Sequence, residues 1–164
     1  MFVLRRAFST VRQNAVVNAY LILCPNKISR PYNSSAKLFT TGNSSDIMDP
    51  TRIVSYEDML KVIHEPAKTI IDVRNQDEVD TTGMIPSSIH IPLNNVKDTL
   101  ASMSDEDFKK RYNQEKPSSS DEIIFYCKSG NRANKALDQA LQLGYSNSKN
   151  YVGSWTEWSS KCKE

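Results

Sequence analysis

A chain of 164 residues, 38% hydrophobic and 24% charged, has room for one domain with a packed core. Its formal charge of +2 hides an uneven distribution: residues 1–45 carry six basic side chains and no acid, while residues 46–164 carry 15 basic and 19 acidic ones. The acidic remainder excludes a dominant nucleic-acid surface, and three cysteines (Cys24, Cys127, Cys162) with no C-x-x-C spacing and no neighbouring histidine pair argue against a zinc site.

Leu4, Ala7, Phe8, Val11 and Ala15 fall at helical spacing, with Arg5, Arg6, Arg12 and Gln13 mostly off that face. A basic, acid-free, serine-containing amphipathic start predicts a mitochondrial presequence over residues 1–32. Arg6-Ala7-Phe8-Ser9 and Arg30-Pro31-Tyr32-Asn33 both have the form of matrix-protease sites, and the sequence does not choose between them. A secretory signal centred on Ala15–Cys24 is the rival; Asn18 interrupts its apolar run, no small-residue cleavage pattern follows, and it is short of the roughly 20 residues that a membrane span needs. A matrix location would keep the thiols reduced. Residues 33–50, rich in Ser, Thr, Asn and Gly, read as linker, and the domain is placed at 51–164.

Arg52–Val54 suggests a short strand. Ser55 then caps a helix through about His64, with Asp58 as its capping-box partner and Tyr56, Met59, Leu60 and Ile63 as its apolar face. Thr69–Val73 is β-branched without alternation, as in a strand buried on both faces. Ile89–Leu93 is a further short strand. Ser104 opens a polar helix with Asp107 at the capping-box position, Gln114–Ser120 is a surface loop, and Glu122–Tyr126 is a strand. Asn131–Leu143 is a helix stopped by Gly144. Asn150–Val152 is read as a last strand, followed by Trp155 and Trp158 as core anchors. Strands that lack alternation, interleaved with helices, predict an α/β fold with a largely parallel sheet, whose ligands sit at the carboxyl ends of strands.

Cys127 stands at such an end. In Cys127-Lys128-Ser129-Gly130-Asn131-Arg132 a strand runs through a loop into a helix N-terminus. Successive N–H groups there converge on one centre, and the helix dipole adds positive potential. Gly130 permits the tight path. Such a nest favours a thiolate and can hold an anion beside it, with Lys128 and Arg132 adding charge. Arg132 can equally act structurally, bridging the loop to the sheet. The alternative is a buried strand-end cysteine flanked by solvated cations.

The stretch YCKSGNRANKAL resembles the active-site loop of the rhodanese-like sulfurtransferases, YCRSGNRS-x-x-A. TIIDVRNQDEV is similar to LIDVR-x-x-x-E-[YF], GMIPSSIHIPL to GHIPGAIHIPL, and LGYSNSKNYVGSWTEW to LGY-x-N-V-x-x-Y-x-GGW-x-EW. Together they cover residues 51–163 in family order. The resemblance implies a compact α/β domain around a five-stranded, mainly parallel sheet. It makes Cys127 the nucleophile and sulfur carrier, with the N–H groups of Lys128 to Arg132 cradling the transferred sulfur, and it implies no cofactor and no metal. The implied partners are a small anionic sulfur donor (thiosulfate or glutathione persulfide) and a thiol or cyanide acceptor; no nucleic acid or membrane span is implied, and the chain would act as a monomer. A relay or binding module with little turnover of its own is the alternative.

Related phosphatases have one more residue between the cysteine and the arginine; the four here argue for sulfur over phosphate. Asp72 and Arg74 belong to the DVR element and are read as supporting scaffold, with an Arg74–Glu78 pair available at i, i+4. Tandem-domain members place an arginine at the Glu78 position to grip the donor, so the acid here leaves Lys128 as the main candidate contact. Met84 replaces the usual histidine and Val79 the usual aromatic. His90 is read as a strand residue without a catalytic role. Cys162 offers a resolving thiol, with an exposed bystander as the alternative.

Overall fold

The computed structural model describes residues 49–162. The segments expected to be presequence and linker lie, Cys24 included, almost wholly outside the described residues. After a single 3-10 turn at Pro50–Arg52 come five strands, β1 Ile53–Val54, β2 Thr69–Asp72, β3 Ser88–His90, β4 Ile123–Tyr126 and β5 Ser148–Tyr151. Among the described residues six α-helices accompany them: α1 Tyr56–Val62, α2 Gln76–Thr82, α3 Leu93–Ser102, α4 Asp105–Tyr112, α5 Asn131–Gln142 and α6 Ser154–Lys161. The strands form one sheet in the order β1-β5-β4-β2-β3, and every pairing is parallel. The expectation of an α/β fold with a five-stranded parallel sheet therefore holds.

The two central strands are buried at every position, which is why their sequences do not alternate. Ile71, Ile123 and Phe125 enter one core with Val96, Phe108, Ala136 and Leu137, beneath α3, α4 and α5. Ile70, Ile124 and Tyr126 enter the other with Met59, Val62 and Trp158, beneath α1 and α6. A fully buried aliphatic side chain of this kind contributes roughly 1.5–3 kcal/mol. Cys127 continues the alternation of β4 and returns to the first core, where it is 1% exposed.

Local signals placed several boundaries correctly. The Ser55 hydroxyl accepts the Asp58 N–H, and the Ser104 hydroxyl accepts the Asp107 N–H. α5 ends at Gln142, and Gly144 just beyond it turns the chain with a φ of +91° that is open to glycine. Other expectations need correction. Leu60 is exposed; Val62 takes the buried place with Met59, and α1 ends at Val62 rather than near His64. The third strand stops at His90, because Pro92 cannot donate to a ladder and instead leads into α3, a helix the sequence reading did not find. The second missed helix, α2, buries no residue, so it left no apolar periodicity to detect. Its one local signal is the capping box between Asn75 and Glu78. The last strand runs from Ser148 rather than Asn150.

Candidate active site

Cys127 follows the last residue of β4, at the carboxyl edge of the sheet, as expected. From there the chain passes through exposed Lys128 and Ser129 to Gly130, then enters α5 at Asn131. Gly130 adopts φ +89°, and a Cβ at this position would lie 2.8 Å from the Val152 carbonyl oxygen. Both the conformation and the close approach require glycine. Its N–H donates to Cys127 Sγ at 3.1 Å. Of the loop N–H groups, that of Gly130 thus meets the cysteine sulfur itself.

The loop carbonyls are held by neighbouring elements. Trp155 N–H donates to Cys127 O at 2.9 Å, and Thr156 gives both its N–H (3.1 Å) and its hydroxyl (2.7 Å) to Lys128 O. The first-turn donors of α6, which have no partner inside their own helix, are spent on the loop. Asn150, buried in β5, donates its side-chain amide to Gly130 O at 3.3 Å. These bonds fix the peptide planes of the loop around the Gly130 N–H that meets the sulfur.

Ser154 completes this arrangement and was not singled out from the sequence. It occupies the second glycine position of the family pattern quoted above. Its φ is +51°, its exposure is 0%, and its hydroxyl accepts the Cys127 N–H at 3.2 Å while donating to Tyr151 O at 2.8 Å. The departure from glycine in the sequence was the available signal.

The charged residues pair differently from expectation. Arg74 does not meet Glu78. It is 1% exposed and forms a bidentate pair with Asp72, itself fully buried, at 2.6 to 3.0 Å. Arg74 also donates to Thr82 Oγ1 and Gly83 O, and its guanidinium lies 4.6 Å from the Trp155 ring centroid. Asp72 and Arg74 are scaffold groups in this geometry, tying β2, the end of α2 and the start of α6 together. Trp158 is a core anchor, whereas Trp155 is only partly buried and covers the arginine. His90 reaches the Arg74 carbonyl oxygen at 2.8 Å through Nε2, consistent with its place in an edge strand.

Arg132, in the first turn of α5, bridges to α2 and not to the sheet. Its guanidinium holds Glu78 through two contacts, 2.5 and 2.8 Å. That bond lowers the Glu78 carboxyl from its ordinary 4.5 to about 2. Arg132 is held more firmly protonated, first by Glu78 and further by the nearby Cys127 sulfur. A tie of α5 to α2 beside the cysteine was legible only in three dimensions, since 54 residues separate the partners.

Cys162 packs against the second core, on the opposite side of the sheet from Cys127. It follows the end of α6, whose start touches Cys127, and eight helical residues span about 12 Å. A disulfide needs Cα atoms within about 7 Å, and placement in cores on opposite faces of the sheet does not fit the resolving role. Nor does the description of an exposed bystander, because the side chain is partly buried. A concavity of about 820 Å³ between α3 and α4 contains none of the loop residues. Among the described residues no cluster of His, Cys, Asp or Glu could hold a metal ion, and no helix is long and apolar enough to cross a membrane.

Comparison with known proteins places this site in context. The family model for the rhodanese-like domain matches residues 55–161. The chain is 37% identical over 121 residues to thiosulfate:glutathione sulfurtransferase of Saccharomyces cerevisiae, covering 71% of this chain and 86% of that one. It is 34% identical over 112 residues to a mitochondrial thiosulfate sulfurtransferase of the same yeast, RDL2, covering 67% of this chain and 74% of that one. The structure of the human single-domain sulfurtransferase TSTD1 superposes with a TM-score of 0.61 at 31% identity, over 67% of this chain and 96% of the other.

Proposed function

The chain belongs to the rhodanese-like domain family, and on that footing we propose that it is a sulfurtransferase working through a persulfide on Cys127. The Cys127 thiolate attacks the outer sulfur of a donor such as thiosulfate or glutathione persulfide. A new S–S bond forms to Cys127, the donor's own S–S bond breaks, and its electron pair leaves with sulfite or with the glutathione thiolate. An acceptor thiolate or cyanide then attacks the outer sulfur, and Cys127 departs as thiolate. Charge on the terminal sulfur is stabilised by loop N–H groups fixed beforehand, the logic of an oxyanion hole applied to sulfur. No histidine base is required for this cycle.

The observation that carries the reading is the Gly130 N–H donating to Cys127 Sγ at a strand end, within a loop whose carbonyls are held by neighbouring elements. The relatives named for thiosulfate and glutathione support the choice of donor and acceptor. A phosphatase reading is disfavoured, because Arg132 is engaged by Glu78 and only four residues separate it from Cys127. Residues 1–32 act as a presequence for the mitochondrial matrix, a reading supported by their basic amphipathic pattern and by a mitochondrial relative, and the domain acts as a monomer.

Turnover of thiosulfate with excess glutathione tests the enzyme against the relay. Wild-type protein and Cys162→Ser should both turn over, and Cys127→Ser should not. Mass spectrometry of the Cys127 peptide after donor treatment should show one added sulfur. Loading in a single turnover without further cycling would favour the relay, and an active Cys127→Ser would overturn the mechanism. Lys128→Ala should weaken use of thiosulfate more than use of a less charged persulfide, with high salt blunting the same step.

A further inference from the structure

The peptide that donates to Cys127 Sγ joins Ser129 to Gly130. Lys128 and Ser129, which lead into it, are exposed, so packing does little to hold this turn. Hydrogen bonds to the loop carbonyls hold it instead. Cys127 O and Gly130 O each accept a backbone N–H, from Trp155 and Asn134, both at 2.9 Å, and Gly130 O also takes the amide of buried Asn150. Lys128 O, directly before Ser129, takes the Thr156 hydroxyl at 2.7 Å as well as the Thr156 N–H at 3.1 Å. The family pattern quoted above leaves this position open, so the hydroxyl is a feature of this chain. Thr156 is exposed and belongs to neither core. The helix it stands on is anchored elsewhere, by buried Trp158 and by the bond from the Tyr151 hydroxyl to Glu157 at 2.9 Å. Thr156 therefore links a fixed helix to an exposed turn beside the nucleophile.

We propose that Thr156 is a positioning residue: its hydroxyl, acting through Lys128 O, holds the turn in which the Gly130 N–H meets the Cys127 sulfur. The hydroxyl touches no reacting atom. It restrains the Lys128–Ser129 peptide, and only the two Ser129 dihedrals separate that peptide from the one that donates to sulfur. A hydrogen bond to a charged sulfur favours thiolate over thiol, and it supports a charged persulfide for the same reason. Without the hydroxyl the N–H is held less firmly on the sulfur, and both charged forms lose part of that support. One net hydrogen bond corresponds to about a fivefold effect. This inference rests on Cys127 being the sulfur carrier.

The test compares wild-type protein with Thr156→Val, which keeps the shape and the backbone N–H but loses the hydroxyl, and with Thr156→Ser, which keeps a hydroxyl. Denaturant unfolding checks the fold of each, and Thr156→Ala replaces the Val variant if that one does not fold. Alkylation of Cys127 by neutral iodoacetamide is followed against pH on the Cys127 peptide, so that Cys162 does not contribute. Lys128, Arg132 and Glu78, the charged groups of the loop and its ion pair, are the same in every variant. In Thr156→Val the alkylation rate below its pH midpoint should fall about fivefold, with the midpoint moving up, while Thr156→Ser should stay near wild type. Sulfur transfer from thiosulfate to glutathione should fall by a similar factor in Thr156→Val and recover in Thr156→Ser.

A wild-type alkylation profile in a folded variant without the hydroxyl overturns the proposal. An equal loss in Thr156→Ser does the same, because the effect would then belong to the altered helix and not to the hydroxyl. Slower sulfur transfer with an unchanged alkylation profile also overturns it, since the hydroxyl would then act away from the sulfur. A shifted profile in a protein that transfers no sulfur from any donor would support the positioning role of Thr156 and overturn the sulfurtransferase reading instead.

Discussion

Ser154 holds Cys127 by its backbone: the serine hydroxyl accepts the cysteine N–H at 3.2 Å and passes its own proton to Tyr151 O at 2.8 Å. Two features of Ser154 act against each other. Its left-handed φ of +51° costs roughly 1–2 kcal/mol for a non-glycine residue, while its hydroxyl satisfies a buried donor. Ser154→Ala should keep the strain and lose the acceptor, destabilising the protein by about 1–3 kcal/mol. Ser154→Gly loses the same acceptor but relieves the strain, and should be about 1 kcal/mol more stable than the Ala variant. Denaturant unfolding of both variants decides this, and equal stabilities would show that the backbone at this position is not strained.

Gly130→Ala should damage the loop at its tightest point. The new Cβ would meet Val152 O at 2.8 Å, and φ +89° suits only glycine. Relief requires the loop to move, which takes the Gly130 N–H away from Cys127 Sγ. Sulfur transfer should fall at least tenfold, with a stability loss of about 1–3 kcal/mol. Full activity in this variant would show that the N–H contact to sulfur does not contribute to the reaction.

Arg74→Met should be among the most destabilising single changes. It leaves Asp72, fully buried, without its cation, at a cost of about 3–5 kcal/mol. Asp72→Asn combined with Arg74→Met should recover part of that loss, because the remaining buried group is neutral. The comparison is made by chemical denaturation. A double variant less stable than the single one would locate the main contribution of Arg74 in its contacts with Thr82, Gly83 and Trp155 rather than in the ion pair.

The Glu78–Arg132 pair should be visible in acid. The folded-state value of Glu78, about 2, lies below its ordinary 4.5, and the largest cause is the bond from Arg132. The pair's contribution is therefore complete above about pH 4.5 and is lost as pH falls toward 2. Both side chains are partly exposed, so solvent screening limits the effect to about 1 kcal/mol. Stability curves of wild-type protein and Glu78→Gln should be separated above pH 4.5 and converge near pH 2. Parallel curves across that range would place the effect of the substitution elsewhere.

Much of this protein is decided by short segments of chain. The β-branched run at Thr69–Val73 and the apolar run at Ile123–Tyr126 demand burial on both faces, and only a parallel sheet covered by helices supplies it. Ser55, Ser104 and Gly144 mark helix ends through bonds and dihedrals that reach no further than four residues. The place of Cys127, after a strand and before a helix, follows from the same local patterns. Charge pairing does not. From the sequence, Glu78 has Arg74 at the right helical spacing, yet Arg74 precedes α2, turns into the core toward Asp72, and leaves Glu78 to an arginine 54 residues away. Ser154 reads as a small residue in a turn until β5 and α6 bring its hydroxyl to the cysteine N–H. Cys162 reads as a thiol near the end of the sequence until the fold sets it against the core on the other face of the sheet. Propensity, capping and burial pattern act over a few residues and are written in order along the chain. Partner choice among charges and hydroxyls depends on which distant segments the sheet and its helices bring within about 3 Å, and packing alone settles that.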